Sequence, residues 1–167
     1  LTARLATTNQ AVQEWVSEPL GTATGPMPSA LGRAEPTAMV NFINDMQRKH
    51  TGAQLSAASV FNLASGFRAG PIRLADLAGI YPYENTLRAV KLSGAGLKAF
   101  LEQSAKYYRT DSLGHIAIND SIAGYNFDIV GGGTYDMDLR LPVGSRIRNL
   151  AVGGRPVVPT DTFTFAV

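Results

Sequence analysis

Tyr81-Pro82-Tyr83-Glu84-Asn85 gathers two flat aromatic rings, a carboxylate and an amide at a turn stiffened by proline. Rings on a rigid turn lose little side-chain entropy when a planar ligand stacks on them, and a stacked nucleobase gains about 1–3 kcal/mol. Glu84 and Asn85 add hydrogen-bonding groups beside the rings. Arg68 and Arg73 flank the same region and carry the forked guanidinium that meets a phosphate. Each feature also has a plainer reading. A tyrosine can plug the core and an arginine can simply be solvated, and the residues alone leave both readings open.

Other chemistry is thin. His50 and His115 lie far apart in the chain, each without a carboxylate at ligand spacing, whereas a metal site needs several donors to converge. No serine sits in a Gly-x-Ser-x-Gly setting, and no phosphate-binding glycine loop follows a strand. Gly131-Gly132-Gly133 could cradle an anion through its amides, but a tight hairpin between two strands is the expectation. Asp136 and Asp138 alternate on one strand face and could hold a cation. The absence of cysteine removes disulfides, zinc–thiolate sites and cysteine nucleophiles. A net charge of +2, with Arg146 and Arg148 the nearest approach to a cluster, gives no electrostatic footprint for a nucleic-acid polymer or a membrane surface.

Several elements must position these groups. Residues 8–17 read as a short helix with Val12, Trp15 and Val16 facing a core, and Glu18 to Thr24 as extended chain. Pro36 opens a clearer helix whose apolar side is Met39, Val40, Phe42, Ile43 and Met46, and Gly52 stops it. Ala53 to Phe61 reads as a buried strand and Ile72 to Ile80 as a helix ended by Pro82. Thr86 to Leu92 alternates like a half-buried strand, and Ser93 caps a helix carrying Leu97, Phe100, Leu101 and Ala105. Arg109 to Ser121 is polar and irregular. Four strands follow at Asn126–Val130, Tyr135–Leu139, Arg146–Val152 and Thr162–Val167, with Gly153-Gly154 as a turn and the last strand leaving an open edge. The 167 residues are 45% apolar and 17% charged, enough for one full core, and no run is long and apolar enough to span a membrane. Helices with interspersed strands followed by hairpins predict an α+β domain.

Pieces spread in order over nearly the whole chain carry a resemblance. Ala53-Gln54-Leu55-Ser56-Ala57-Ala58, Ala69-Gly70-Pro71-Ile72, Tyr81-Pro82-Tyr83-Glu84-Asn85-Thr86-Leu87 and Val90-Lys91-Leu92-Ser93-Gly94 resemble the C-terminal domain of the 5′-nucleotidase family. Tyr125-Asn126-Phe127-Asp128, Tyr135-Asp136-Met137-Asp138-Leu139 and Gly144-Ser145-Arg146-Ile147 fit it as well. The first of these, with the tyrosine after Pro82, is most similar to the branch of bacterial 2′,3′-cyclic-nucleotide 2′-phosphodiesterase/3′-nucleotidases.

The resemblance implies a domain over residues 1–167, layered α/β/β/α with mixed sheets and cut short at its C-terminal end. It also implies a secreted, periplasmic or cell-wall-associated hydrolase. Its N-terminal metallophosphoesterase domain, expected before Leu1, holds two divalent metal ions and a catalytic Asp-His pair. That domain's Asp-x-His and Gly-Asn-His-Asp/Glu motifs do not occur here, so no catalytic residue, metal ligand or cofactor is assigned to this chain. The C-terminal domain supplies the nucleoside pocket, in which two rings sandwich the base. Tyr83 falls on the first ring, with Asn85 beside it, and the second is expected past Val167. Residues 61–68 correspond to the family's Asn-Gly-Gly-Gly-Ile-Arg loop but depart from it. Asn62 and Arg68 carry over as nucleoside and phosphate contacts, without a 5′-phosphate preference. The partners implied are a nucleotide or nucleoside and the N-terminal domain of the same polypeptide. The function implied is substrate binding in a phosphohydrolase of 2′,3′-cyclic nucleotides and 3′-nucleotides, inactive without its catalytic half. Three alternatives stand beside it: a 5′-nucleotidase/UDP-sugar hydrolase-type domain, a non-catalytic nucleoside-binding module, and a structural domain with Tyr83 buried.

Overall fold

A computed structural model describes residues 2–167, with side chains from residue 5 onward; Leu1 lies outside the described residues. Helix α1 (Thr2–Val16) leads into β1 (Pro19–Ala23) and the two-residue strand β2 (Met27–Pro28). Helix α2 (Ala38–Thr51) starts at Thr37, whose hydroxyl accepts the Val40 N–H, so Pro36 sits just outside the helix rather than in its first turn. Arg48, Lys49 and His50 lie at its carbonyl end, and Gly52 closes it at φ 69° with its N–H on the Arg48 carbonyl.

The chain continues through β3 (Leu55–Ser59), β4 (Gly66–Phe67) and β5 (Gly70–Arg73) into α3 (Leu74–Ile80). The expected helix from Ile72 thus begins two residues late, because Ile72 and Arg73 pair with β1. After an irregular loop come β6 (Ala89–Ser93) and α4 (Gly94–Ala105), and the Ser93 hydroxyl accepts the Gly96 N–H as a cap should. The alternating strand expected from Thr86 is shorter, although Arg88 still exchanges both backbone hydrogen bonds with Val167.

Residues 109–121 are not irregular. They form a hairpin of β7 (Tyr108–Thr110) and β8 (Ile116–Ile118), whose turn is tied by the Asp111 carboxylate accepting the N–H groups of Leu113 and His115. The last strands are β9 (Asp128–Gly131), β10 (Gly133–Met137), β11 (Ile147–Val152), β12 (Arg155–Pro156) and β13 (Thr162–Ala166). Gly153 and Gly154, at φ 58° and 75°, make the expected two-residue turn between β11 and β12.

The core sheet has the order β6-β13-β3-β9, with β13 parallel to β3 and the other two neighbours antiparallel. The final strand is therefore interior; the edges are β6 and β9, not β13. On one face α2 sets Val40 against Ala58, Val60 and Ile129. On the other, Leu97, Leu101 and Ala105 of α4 meet Leu55, Val130, Phe163 and Phe165, joined by Ile147 from a second sheet of β10, β11 and β12. Mixed sheets with helices packed on them make the domain α+β.

Two further expectations change. Gly131-Gly132-Gly133 is not a hairpin, since it carries the chain from the first sheet to the second. Gly132 has φ +91°, and a Cβ there would lie 2.2 Å from the Gln54 carbonyl oxygen. Val12 and Trp15 of α1 do not face a core: both are exposed, Trp15 at 63%, because α1 packs chiefly along α3. Among the described residues two buried side-chain atoms, Gln47 Oε1 and Arg48 Nε, lack a hydrogen-bond partner, but the polar groups at the centre of the core are paired. Asn44 donates to the Ile129 carbonyl and accepts from Ser56, and Glu102 of α4 accepts three backbone N–H groups, from Gly144, Arg146 and Ile147. Arg146 is buried beneath them, donating to the Ala105, Tyr108 and Leu141 carbonyls, whereas Arg148 is exposed, so the two arginines form no common basic surface.

Candidate functional site

The loop after α3 exists because Tyr81 leaves helical geometry and Pro82 cannot continue it. The loop stands clear of the core, and Tyr83 keeps 58% of its surface exposed. Asn85 donates from Nδ2 to the Tyr81 hydroxyl at 2.7 Å, which ties the two ends of the turn. With Tyr83 exposed, the reading in which it plugs the core falls away.

Sequence reasoning missed the ring that braces this turn. Phe61 was expected to close a buried strand, but β3 ends at Ser59 and Phe61 emerges half-buried beyond it. Its ring stands edge-to-face with both tyrosines, 5.4 Å from Tyr81 at 81° and 5.2 Å from Tyr83 at 62°. A signal was available: an aromatic placed just ahead of Asn62, at the mouth of the loop that the resemblance had already singled out.

Asn62 and Arg68 come together in a neighbouring groove of about 570 Å³, which also includes Ser65, Arg73, Asp76 and Gly79. Tyr83 and Asn85 are not among its lining residues. The connection is Phe61, joined covalently to Asn62 and by ring contact to Tyr83. Asn62 turns its side-chain oxygen onto the Ala64 N–H at 2.9 Å, so this oxygen shapes the loop. Arg68 is exposed, and Arg73 uses its backbone N–H to bind Asp76 at the start of α3. Two guanidinium groups against one carboxylate make the groove suited to an anion.

The remaining candidates separate. His115 does have a carboxylate neighbour, Asp111, 2.9 Å from Nδ1, because the hairpin turn folds position i+4 back onto i. Asp111 lies below the ordinary carboxylate pKa, first through the His115 backbone N–H and then through the His115 ring. The pair is solvated. Asp136 and Asp138 do not share a cation site. Asp136 accepts from Asn149 at 2.6 Å, while Asp138 takes a two-pronged grip from Arg140 at 2.8 and 2.7 Å that pulls its pKa to about 2. Among the described residues no three or more His, Asp or Glu side chains gather closely enough to hold a metal.

Comparisons with known proteins agree on one family. The profile of the 5′-nucleotidase, C-terminal domain, matches residues 19–167. A 2′,3′-cyclic-nucleotide 2′-phosphodiesterase/3′-nucleotidase of Yersinia enterocolitica is 31% identical over 95% of this chain, and the chain spans 30% of that protein's length. A trifunctional nucleotide phosphoesterase of Bacillus subtilis is 25% identical over 98% of the chain, which spans 14% of it. A Staphylococcus aureus structure described as a 5′-nucleotidase with alpha-ketoglutarate superposes with a TM-score of 0.85 at 25% identity, over 97% of this chain and 33% of that one. A 5′-nucleotidase precursor of Thermus thermophilus gives 0.78 at 23%, over 98% of this chain and 32% of that one. The chain thus belongs to the 5′-nucleotidase family, as its C-terminal domain.

Proposed function

We propose that this domain holds the nucleoside part of a nucleotide for a phosphohydrolase acting on 2′,3′-cyclic nucleotides and 3′-nucleotides. The observation that carries the reading is the exposed Tyr83 ring, presented on a proline-stiffened loop beside a groove containing Arg68 and Asn62. The base stacks on Tyr83, Asn85 adds a hydrogen-bonding group, and Arg68 faces the phosphate side. A catalytic domain of the same polypeptide, preceding this one, carries the chemistry. There two divalent metal ions would activate water for attack on phosphorus, and this domain contributes by orienting the substrate. Support for the substrate class comes from the names of relatives in Yersinia and Bacillus. The description of the Thermus neighbour as a precursor favours a secreted or periplasmic protein.

A second reading, a 5′-nucleotidase, draws on the printed descriptions of both solved neighbours. An adenosine titration of the ¹⁵N-labelled chain, alongside Tyr83→Ala, tests the site. Saturable shifts clustered at residues 81–85 and lost in the variant are expected; shifts that survive in Tyr83→Ala, or none up to millimolar adenosine, would reject it. Competition between 3′-AMP and 5′-AMP for those shifts separates the two substrate readings.

A further inference from the structure

Phe61 reaches Tyr83 only because its own backbone is held from an unexpected direction. Arg33, in the loop ahead of α2, donates from Nε and Nη2 to the Val60 carbonyl at 3.2 and 2.8 Å, and from Nη2 to the Phe61 carbonyl at 3.2 Å. Its guanidinium lies against Gly124, where a Cβ would come within 2.2 Å of Cζ, so any larger residue there would push the guanidinium out of its present position. From the other side the Tyr108 hydroxyl donates to the Arg33 carbonyl. Farther along the loop, Ser29 donates its N–H to the Ser65 carbonyl at 3.1 Å and β2 pairs with β4. Residues 60–67 are thereby strapped at both ends, and Phe61 leaves the strap at a fixed angle.

We propose that Phe61, locked by Arg33, is the positioning residue that sets the plane of Tyr83 and so determines affinity for a planar heteroaromatic ligand of the nucleobase class. The proposal rests on the nucleoside reading of Tyr83. An exposed tyrosine on a loop without regular structure would otherwise rotate, and a stacking ligand would bear the entropy of stopping it. An edge-to-face neighbour at 5.2 Å removes part of that freedom before the ligand arrives. The two carbonyls gripped by Arg33 flank the point at which Phe61 departs, so a lysine at position 33 keeps the charge and loses the fork.

The test uses the chain with Phe61→Leu, Phe61→Tyr and Arg33→Lys, and three readouts: adenosine Kd, thermal midpoint, and the ¹³C/¹H resonances of the Tyr83 ring in ligand-free protein. Wild type and Phe61→Tyr should share a Tyr83 ring signature shifted by the neighbouring aromatic current. Phe61→Leu and Arg33→Lys should move it toward the random-coil position and weaken adenosine binding roughly three- to tenfold. Restoration of affinity by tyrosine at position 61 is the mark of positioning. A loss of thermal stability in Phe61→Leu with unchanged Kd would overturn the proposal, leaving Phe61 a packing residue. Adenosine binding that ignores Tyr83→Ala would instead overturn the nucleoside reading, and the ring signature would then show whether the Phe61–Tyr83 coupling exists without it.

Discussion

Asp128 shows how one carboxyl in this fold reports its surroundings. It opens β9 on the face shared with Val130, with its backbone N–H on the Ser104 hydroxyl at 3.2 Å, and burial pushes its pKa up to about 6. Nearby Tyr135 is raised as well, first by its own burial and then by the Asp128 charge. A raised carboxyl binds its proton more tightly in the folded state than in the unfolded chain, where the value is about 4. Its stabilising contribution is full below that value and is lost as pH climbs toward 6, after which the cost stays constant. Asp128→Asn keeps the shape without the charge. It should therefore equal wild type near pH 4 and exceed it above pH 6, by on the order of 1–2 kcal/mol given the partial exposure of the site. Urea melts across pH 4 to 8 measure this, and a constant offset throughout would reject it. Asp138 works in the opposite direction and in a separate window. The Arg140 grip holds it near 2, so its contribution is lost only as pH falls from about 4 toward 2.

Two turns of similar sequence behave differently as elements. Gly153-Gly154 and Gly131-Gly132-Gly133 both look like hairpin signals, and only the first is one. Local conformation does not separate them, since Gly132 and Gly154 both have positive φ; their surroundings do. An added Cβ meets nothing within 4 Å at Gly154 but the Gln54 carbonyl at 2.2 Å at Gly132. Gly154→Ala should thus cost about 1 kcal/mol for the left-handed backbone alone. Gly132→Ala should cost about 2–4 kcal/mol, because β9 must also shift from β3 where the chain changes sheets. Equal losses in denaturant titrations would mean that the backbone term dominates at both.

The same distinction explains what was legible in the sequence. Gly52, Ser93 with Leu97, Leu101 and Ala105, and the strand at 162–166 act through local chemistry or period, and they read directly, whereas the cap at Thr37 lies one residue past the Pro36 start that the sequence suggests. The sheet order, with β13 between β6 and β3, depends on pairing across distant segments and leaves no local mark. The site divides along the same line. Tyr83 stands out as an aromatic at a proline turn, whereas Phe61 and its Arg33 clamp require β3 to end early and the 29–33 loop to cross behind it.

At the scale of the whole molecule, α1 is the feature this chain does not explain by itself. Leu5, Val12 and Trp15 are exposed along it, and Leu20 and Leu77 are exposed on β1 and α3. A helix with exposed apolar positions gains little stability from its own domain, and most helices of this length depend on tertiary packing. The chain spans 30% of the Yersinia relative's length, and in the proposed two-domain enzyme α1 is the first element of this domain to meet the catalytic half. The chain has a single tryptophan, Trp15, and that makes the arrangement measurable. In this chain the indole should emit as a solvated one and be quenched readily by acrylamide. In a polypeptide extended through the preceding domain, with tryptophans there replaced by phenylalanine, its emission should move to shorter wavelength and quenching should fall severalfold. Quenching that stays as efficient in the longer protein would mean that the catalytic half docks elsewhere, leaving α1 a solvated connector between domains that move independently.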